Sequence, residues 1–158
     1  MSNELLQNST EVLGLMAQAE AGVRDFYAAC AAQWEEDKEF WLTLAAEEDG
    51  HFKAVQRMVA LAEVHPERYA MRGGFDPVAY VAFIDWVRSC KIAAANGTMD
   101  QPQAVQAAGT IENTVLESRI QELVITSDPE FLALLGSITE QTGKHAIMVK
   151  GRTKGLIK

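Results

Sequence analysis

The sequence predicts an all-α protein: a four-helix bundle of two antiparallel helical hairpins, joined by a long crossover that carries an extra helix. Three observations predict it. Apolar residues recur three and four apart through long stretches, the spacing that keeps a stripe on one side of a 3.6-residue turn. No run alternates with period two for long enough to define a strand. Only four prolines occur in 158 residues. Three of them stand where helices start or stop, at Asp76-Pro77, Gln101-Pro102 and Asp128-Pro129, because the missing proline N–H is not needed in a first helical turn.

Helix A is expected over 9–34, with Leu13, Met16, Glu20, Val23, Tyr27 and Cys30 along its inner stripe. Helix B follows over 37–64, and its stripe reads Trp41, Leu44, Glu48, His51, Val55, Met58, Ala62. The crossover helix, 77–95, lies between two loops, HPERYAMRGGFD (65–76) and NGTMDQ (96–101). Helix C is expected over 102–126, with Ala108, Glu112, Leu116, Ile120 and Leu123 on one side and Val115 and Arg119 on its flank. Helix D, 129–151, opens on a capping-box pattern, Ser127-Asp-Pro-Glu130, and continues through Phe131, Leu135, Ile138, Thr142, His145 and Val149. Trp34, Trp41 and Trp86 read as packing residues. Short links inside each pair and a long one between them give the ferritin-like variant of the four-helix bundle.

A chain of 158 residues, 48% apolar, is long enough for one domain, 1–158, around one sizeable core. A net charge of -8 and a pI near 4.9 oppose a nucleic-acid backbone or an anionic membrane as partner, since both would repel most of the surface. The basic stretch 150–158 reads as a frayed, solvated terminus. The start lacks a basic segment followed by an apolar run, and no stretch approaches the roughly 18 consecutive apolar residues of a spanning helix, so a cytoplasmic location is expected. Cys30 and Cys90 show no CxxC pairing and read as two buried thiols rather than a disulfide or a zinc ribbon.

Five polar residues interrupt the apolar stripes at comparable depth: Glu20, Glu48, His51, Glu112 and His145. An uncompensated ionised carboxylate in a low-dielectric interior is very costly, so three close together need cations or must protonate. A bound metal satisfies them. Oxygen and imidazole ligands together suit Fe, Mn or Zn, and the i, i+3 spacing of Glu48 and His51 puts both on one helical face. Structural alternatives stand beside this reading: Glu48 and His51 as a hydrogen-bonded pair, and His145 as a satisfied core histidine. Arg119 is placed to neutralise a carboxylate near Glu112, Glu117 turns off that face toward Arg119, and Tyr27 either hydrogen-bonds a ligand or simply packs.

Glu20-x6-Tyr27 followed by Glu48-x-x-His51, with IENTVLESR (111–119) and a histidine-bearing helix D behind them, resembles the rubrerythrin-related branch of the ferritin-like di-iron carboxylate proteins. The resemblance runs over nearly the whole chain in helix order. It implies a dinuclear iron site with Glu20, Glu48, His51, Glu112 and His145 as ligands, and an oxidoreductase acting on peroxide or O2. A homodimer is expected for this architecture. The rubredoxin-type four-cysteine module is absent, so catalysis implies an external electron donor. One departure is plain: Thr142 stands where that family carries a glutamate three residues before the histidine. Glu140 lies about 140° around the helix from His145, whereas Gln141 is within reach through its carbonyl. Two metal ions are expected if the site is complete and one if it is degenerate. The second functional reading is a non-catalytic helical scaffold with a decayed metal site, acting through dimerisation or partner binding.

Overall fold

A computed structural model describes the backbone over 2–72, 75–114 and 116–156, and side chains over 9–72, 75–114 and 120–154. Among the described residues the protein is mostly helical, with six α-helices: α1 (Ser2–Gln33), α2 (Lys38–Val64), α3 (Pro77–Ala95), α4 (Gln101–Asn113), α5 (Leu116–Leu123) and α6 (Pro129–Leu156). Two short strands, β1 (Ala70–Met71) and β2 (Val124–Ile125), pair antiparallel with Ala70 opposite Ile125 and Met71 opposite Val124. The Arg72 amide extends this pairing to the Leu123 carbonyl at 2.7 Å. α1 packs on α2 and α3, while α6 packs on α4, α2 and α5.

The helix starts are fixed by aspartates. Asp76 accepts the Val78 amide at 3.0 Å, and Asp100 forms a capping box with Gln103, each side chain meeting the other residue's amide. At α6 the cap is Asp128, one of the two residues, Ser127 or Asp128, that the sequence pattern offers. Asp128 Oδ1 accepts the amides of Glu130 and Phe131, its Oδ2 accepts the Tyr69 hydroxyl, and Glu130 turns outward to Arg57.

The helix expected over 102–126 is divided, and its end is extended backbone. Three side chains in the last turn of α4 take carbonyls of the preceding turn: Thr110 that of Gln106, Asn113 that of Gly109, and Thr114 that of Thr110 at 2.6 Å. Such bonds compete with the backbone ladder, and the Thr114 amide closes back on Ile111 instead of continuing it. The β-branched run Val124-Ile125-Thr126 then favours the β1 pairing over a helical end. The expected side chains of Val115, Leu116, Glu117 and Arg119 lie outside the described residues. The basic stretch from 150 is helical as far as Leu156, where a frayed end was expected. Arg152 there pairs with Asp37 at 3.2 Å and lies over the Phe40 ring.

The buried apolar residues form two clusters. One gathers Val23, Phe26, Tyr27, Cys30, Trp41, Leu44, Val105, Ala108, Ile111 and Val149, with the second cysteine, Cys90, also inside it. The other gathers Val12, Leu13, Met16, Val55, Met58, Ile120, Phe131, Leu135 and Ile138. Along α1, α2 and α6 the sequence passes from one cluster to the other, and the crossing falls at Glu20, at Glu48 and His51, and at Thr142 and His145. Trp86, expected to pack, sits at the surface of α3 against Phe83. Among the described residues no helix is long and apolar enough to cross a membrane.

Trp41 is fully buried among Phe26, Tyr27, Trp34 and Phe40. Trp41→Ala is expected to lower unfolding stability in urea by about 3–5 kcal/mol, whereas Arg57→Ala, at an exposed ion pair with Glu130, leaves the midpoint nearly unchanged.

Candidate metal centre

Four helices each place a charged group into the layer between the two apolar clusters. Glu20 comes from α1, Glu48 and His51 from α2, Glu112 from the last turn of α4 and His145 from α6. All five are at most 5% exposed. The structure therefore brings together every residue singled out as a ligand.

Glu48 is the hub of the arrangement. Its Oε2 lies 3.2 Å from His51 Nδ1 and its Oε1 lies 3.1 Å from His145 Nδ1. Glu20 Oε2 approaches the same His51 nitrogen at 3.7 Å, and Glu112 Oε2 approaches the same His145 nitrogen at 3.7 Å. Two triads result, Glu20–Glu48–His51 and Glu48–Glu112–His145, each with one potential ligand atom per residue within 4.8 Å of the others. The imidazoles stack with centroids 5.4 Å apart.

The outer nitrogens are held as well. Nε2 of His51 lies 2.6 Å from Oε1 of Gln141 on α6, and Nε2 of His145 lies against Oε2 of Glu47 on α2. Both partners are oxygens that only accept, so both Nε2 atoms carry the proton, and the inward Nδ1 atoms are left to a metal or a second proton. Gln141, within reach of the site through its carbonyl, meets His51 of the opposite helix with it. Glu47 is the residue the sequence reading missed. Its signal was present: Glu47 stands four before His51 as Gln141 stands four before His145, so the two helices exchange equivalent contacts across the site. Glu140 points away and pairs with Lys144 at the surface.

The local charges set the protonation state. Burial alone would lower the histidine pKa values. The hydrogen bonds and charges of Glu20 and Glu48 outweigh it for His51 and raise it to about 11. Glu112 and Glu48 raise His145 to about 10. For Glu48 burial works upward, but the hydrogen bonds from His145 and His51 win and hold it far below the ordinary carboxylate range. Burial keeps Glu112 above its ordinary value, although His145 and Tyr27 donate to it. The Tyr27 hydroxyl donates to Glu112 Oε1 at 2.6 Å, and burial together with the Glu112 and Glu48 charges pushes the phenol well above 10. Both readings of Tyr27 thus hold at once: it packs and it bonds.

A cavity of about 20 Å³ opens beside the carboxylates, walled by Glu20, Glu48, Glu112, Thr142, Thr114 and Phe83. It has room for a water-sized species. Thr142, three residues before His145, forms part of this wall.

No family model matches the chain, and no curated protein or solved structure matches it.

Two outcomes follow from this geometry. With folded histidine pKa values above the ordinary 6.5, the protonated histidines of the metal-free network give their full stabilisation below about pH 6.5, as long as Glu48 stays ionised, and lose it as pH rises through about 10 to 11. Thermal unfolding of chelator-treated protein should show Tm falling across that window, with the fall reduced in a His51→Gln/His145→Gln variant. Removing either outer partner, Glu47→Ala or Gln141→Ala, should weaken divalent-metal binding by roughly 10- to 100-fold in a competition titration while the circular dichroism stays helical.

Proposed function

We propose that the chain is a ferritin-like metal-binding protein of the rubrerythrin kind, an iron carboxylate oxidoreductase that acts on peroxide or O2. The observation that carries this reading is the sharing of Glu48: its two oxygens address two histidines of two helices, and each histidine has its own second carboxylate. Such a donor set would suit a pair of ions that share Glu48. Glu20, Glu48 and His51 would hold one ion, and Glu48, Glu112 and His145 the other. Iron suits the mixed oxygen and imidazole ligands, and Mn and Zn accept the same set.

The residues fit such a pair by charge as well as by position. Neutral histidines and three carboxylates leave two divalent ions with one positive charge in excess, which favours a small anion in the cavity beside Thr142. When bound, the metal would supply one-electron redox chemistry for peroxide or O2. The chain supplies the rest. Glu47 and Gln141 fix both imidazoles, Tyr27 holds Glu112 from behind, and the two apolar clusters keep bulk water from the layer. This reading includes a homodimer, a cytoplasmic location and an external electron donor.

A second reading has its own support. Without metal, the imidazolium forms of His51 and His145 pair with the three carboxylates, so the layer is a self-sufficient network of a non-catalytic scaffold. Metal content separates the two. Elemental mass spectrometry of untagged protein purified without chelator is expected to give near two Fe or Mn per chain, lost in Glu48→Ala/His51→Ala. One per chain means a half-site. None, even after anaerobic Fe(II) addition, overturns the redox reading in favour of the scaffold.

A further inference from the structure

The aromatic residues around Tyr27 form a connected path from the buried site to the surface. Tyr27 donates to Glu112, a carboxylate of the centre, and its ring centroid is 5.8 Å from that of Trp41. Trp41 is wholly buried and lies 6.4 Å from Trp34. Trp34 is half-buried at the bend between α1 and α2, packed on the edge of the same apolar cluster. These are three easily oxidised side chains in ring contact, in the order phenol, buried indole, surface indole. The other two tyrosines, Tyr69 and Tyr80, belong to the opposite apolar cluster.

Trp41 has one further property. Its indole N–H is fully buried and meets no hydrogen-bond acceptor among the described residues. A buried, unpaired donor costs free energy, about 1–3 kcal/mol, and requires an account. An oxidised indole whose proton has no base to leave to stays a radical cation, which passes its vacancy on. One hydrogen-bonded to a carboxylate would lose the proton and trap it.

We infer that Tyr27, Trp41 and Trp34 form a relay through which an oxidising equivalent leaves the buried centre and is quenched at the surface by a one-electron reductant of the thiol class. The inference rests on the metal-centre reading for the source of that equivalent. Tyr27 gives up one electron and its phenolic proton passes to Glu112 Oε1. Trp41 then returns an electron to Tyr27, and the proton moves back. Trp34 restores Trp41, and a thiol at the surface restores Trp34, releasing its proton to solvent and ending as a thiyl radical. Two thiyl radicals couple to one disulfide. The net change is the loss of one oxidising equivalent from the centre per thiol consumed, with every relay residue unchanged.

The path can be tested without metal. Flash oxidation of the chain by a diffusing photo-oxidant, in a Trp86→Phe background that removes the other surface indole, should yield a tryptophan radical that equilibrates with a tyrosyl radical by transient absorption, so that a surface thiol quenches both signals together. That tyrosyl signal should be lost in Tyr27→Phe and in Trp34→Phe, and it should be lost or slowed in Trp41→Phe. Trp34→Phe changes only a half-buried surface residue, so the outcome stands even if Trp41→Phe folds poorly. A tyrosyl radical that persists in Tyr27→Phe, forms at an unchanged rate in Trp34→Phe, or never forms overturns the relay. Because no metal is present, a chain that binds none fails the reading of the centre without touching this result, and a failed relay leaves the metal content as it was.

Discussion

The structure depends on a buried layer of charge that must satisfy itself. Three carboxylates and two imidazoles sit between two apolar clusters, at a depth where an unpaired charge would cost several kcal/mol. Glu48 resolves the problem by serving both histidines at once, one with each oxygen. Every other feature of the layer follows from that sharing. Glu20 and Glu112 complete the two sides, Glu47 and Gln141 hold the outer imidazole nitrogens, and Tyr27 donates to Oε1 of Glu112. The same arrangement offers a set of ligand atoms when the Nδ1 protons leave and a salt-bridge network when they stay, so protons and any metal ion would compete for it.

The two sides are equivalent in layout and unequal in chemistry. His145 faces an ionisable carboxylate, half-exposed at Glu47, while His51 faces the neutral amide of Gln141. Glu112 shares an oxygen with Tyr27. Thr142 on the α6 side lines the small cavity beside the three carboxylates. α4 ends one residue past Glu112, where side-chain hydroxyls and an amide draw off the backbone carbonyls. The centre therefore sits beside the break between α4 and α5, next to a cavity that Thr114 at this break helps to wall.

Much of this was legible in the sequence because helical periodicity is. The stripes of α1, α2 and α6 run at three- and four-residue spacing, so Glu20, Glu48, His51 and His145 stood out as polar residues in apolar rows. Glu112 was legible on the same ground. The break after it was not, since Thr110, Asn113 and Thr114 act through side-chain bonds to carbonyls that leave the apolar pattern intact. The Val124–Ile125 pairing with Ala70–Met71 was hidden because two residues show no alternation. The outer partners lie one position off the inner stripe, where Glu47 looks like a solvated glutamate and Gln141 like a spare ligand. Only their exchange across α2 and α6 gives them their roles.

The central claim is that Glu48 joins two metal positions. Anomalous diffraction at the iron edge, from crystals of anaerobically Fe(II)-loaded protein, addresses it most directly. The account predicts two peaks on either side of the Glu48 carboxylate, one within bonding distance of His51 Nδ1 and the other of His145 Nδ1. A single peak that leaves one histidine unbound, or iron found only at surface carboxylates with the Glu48–histidine bonds intact, would contradict it.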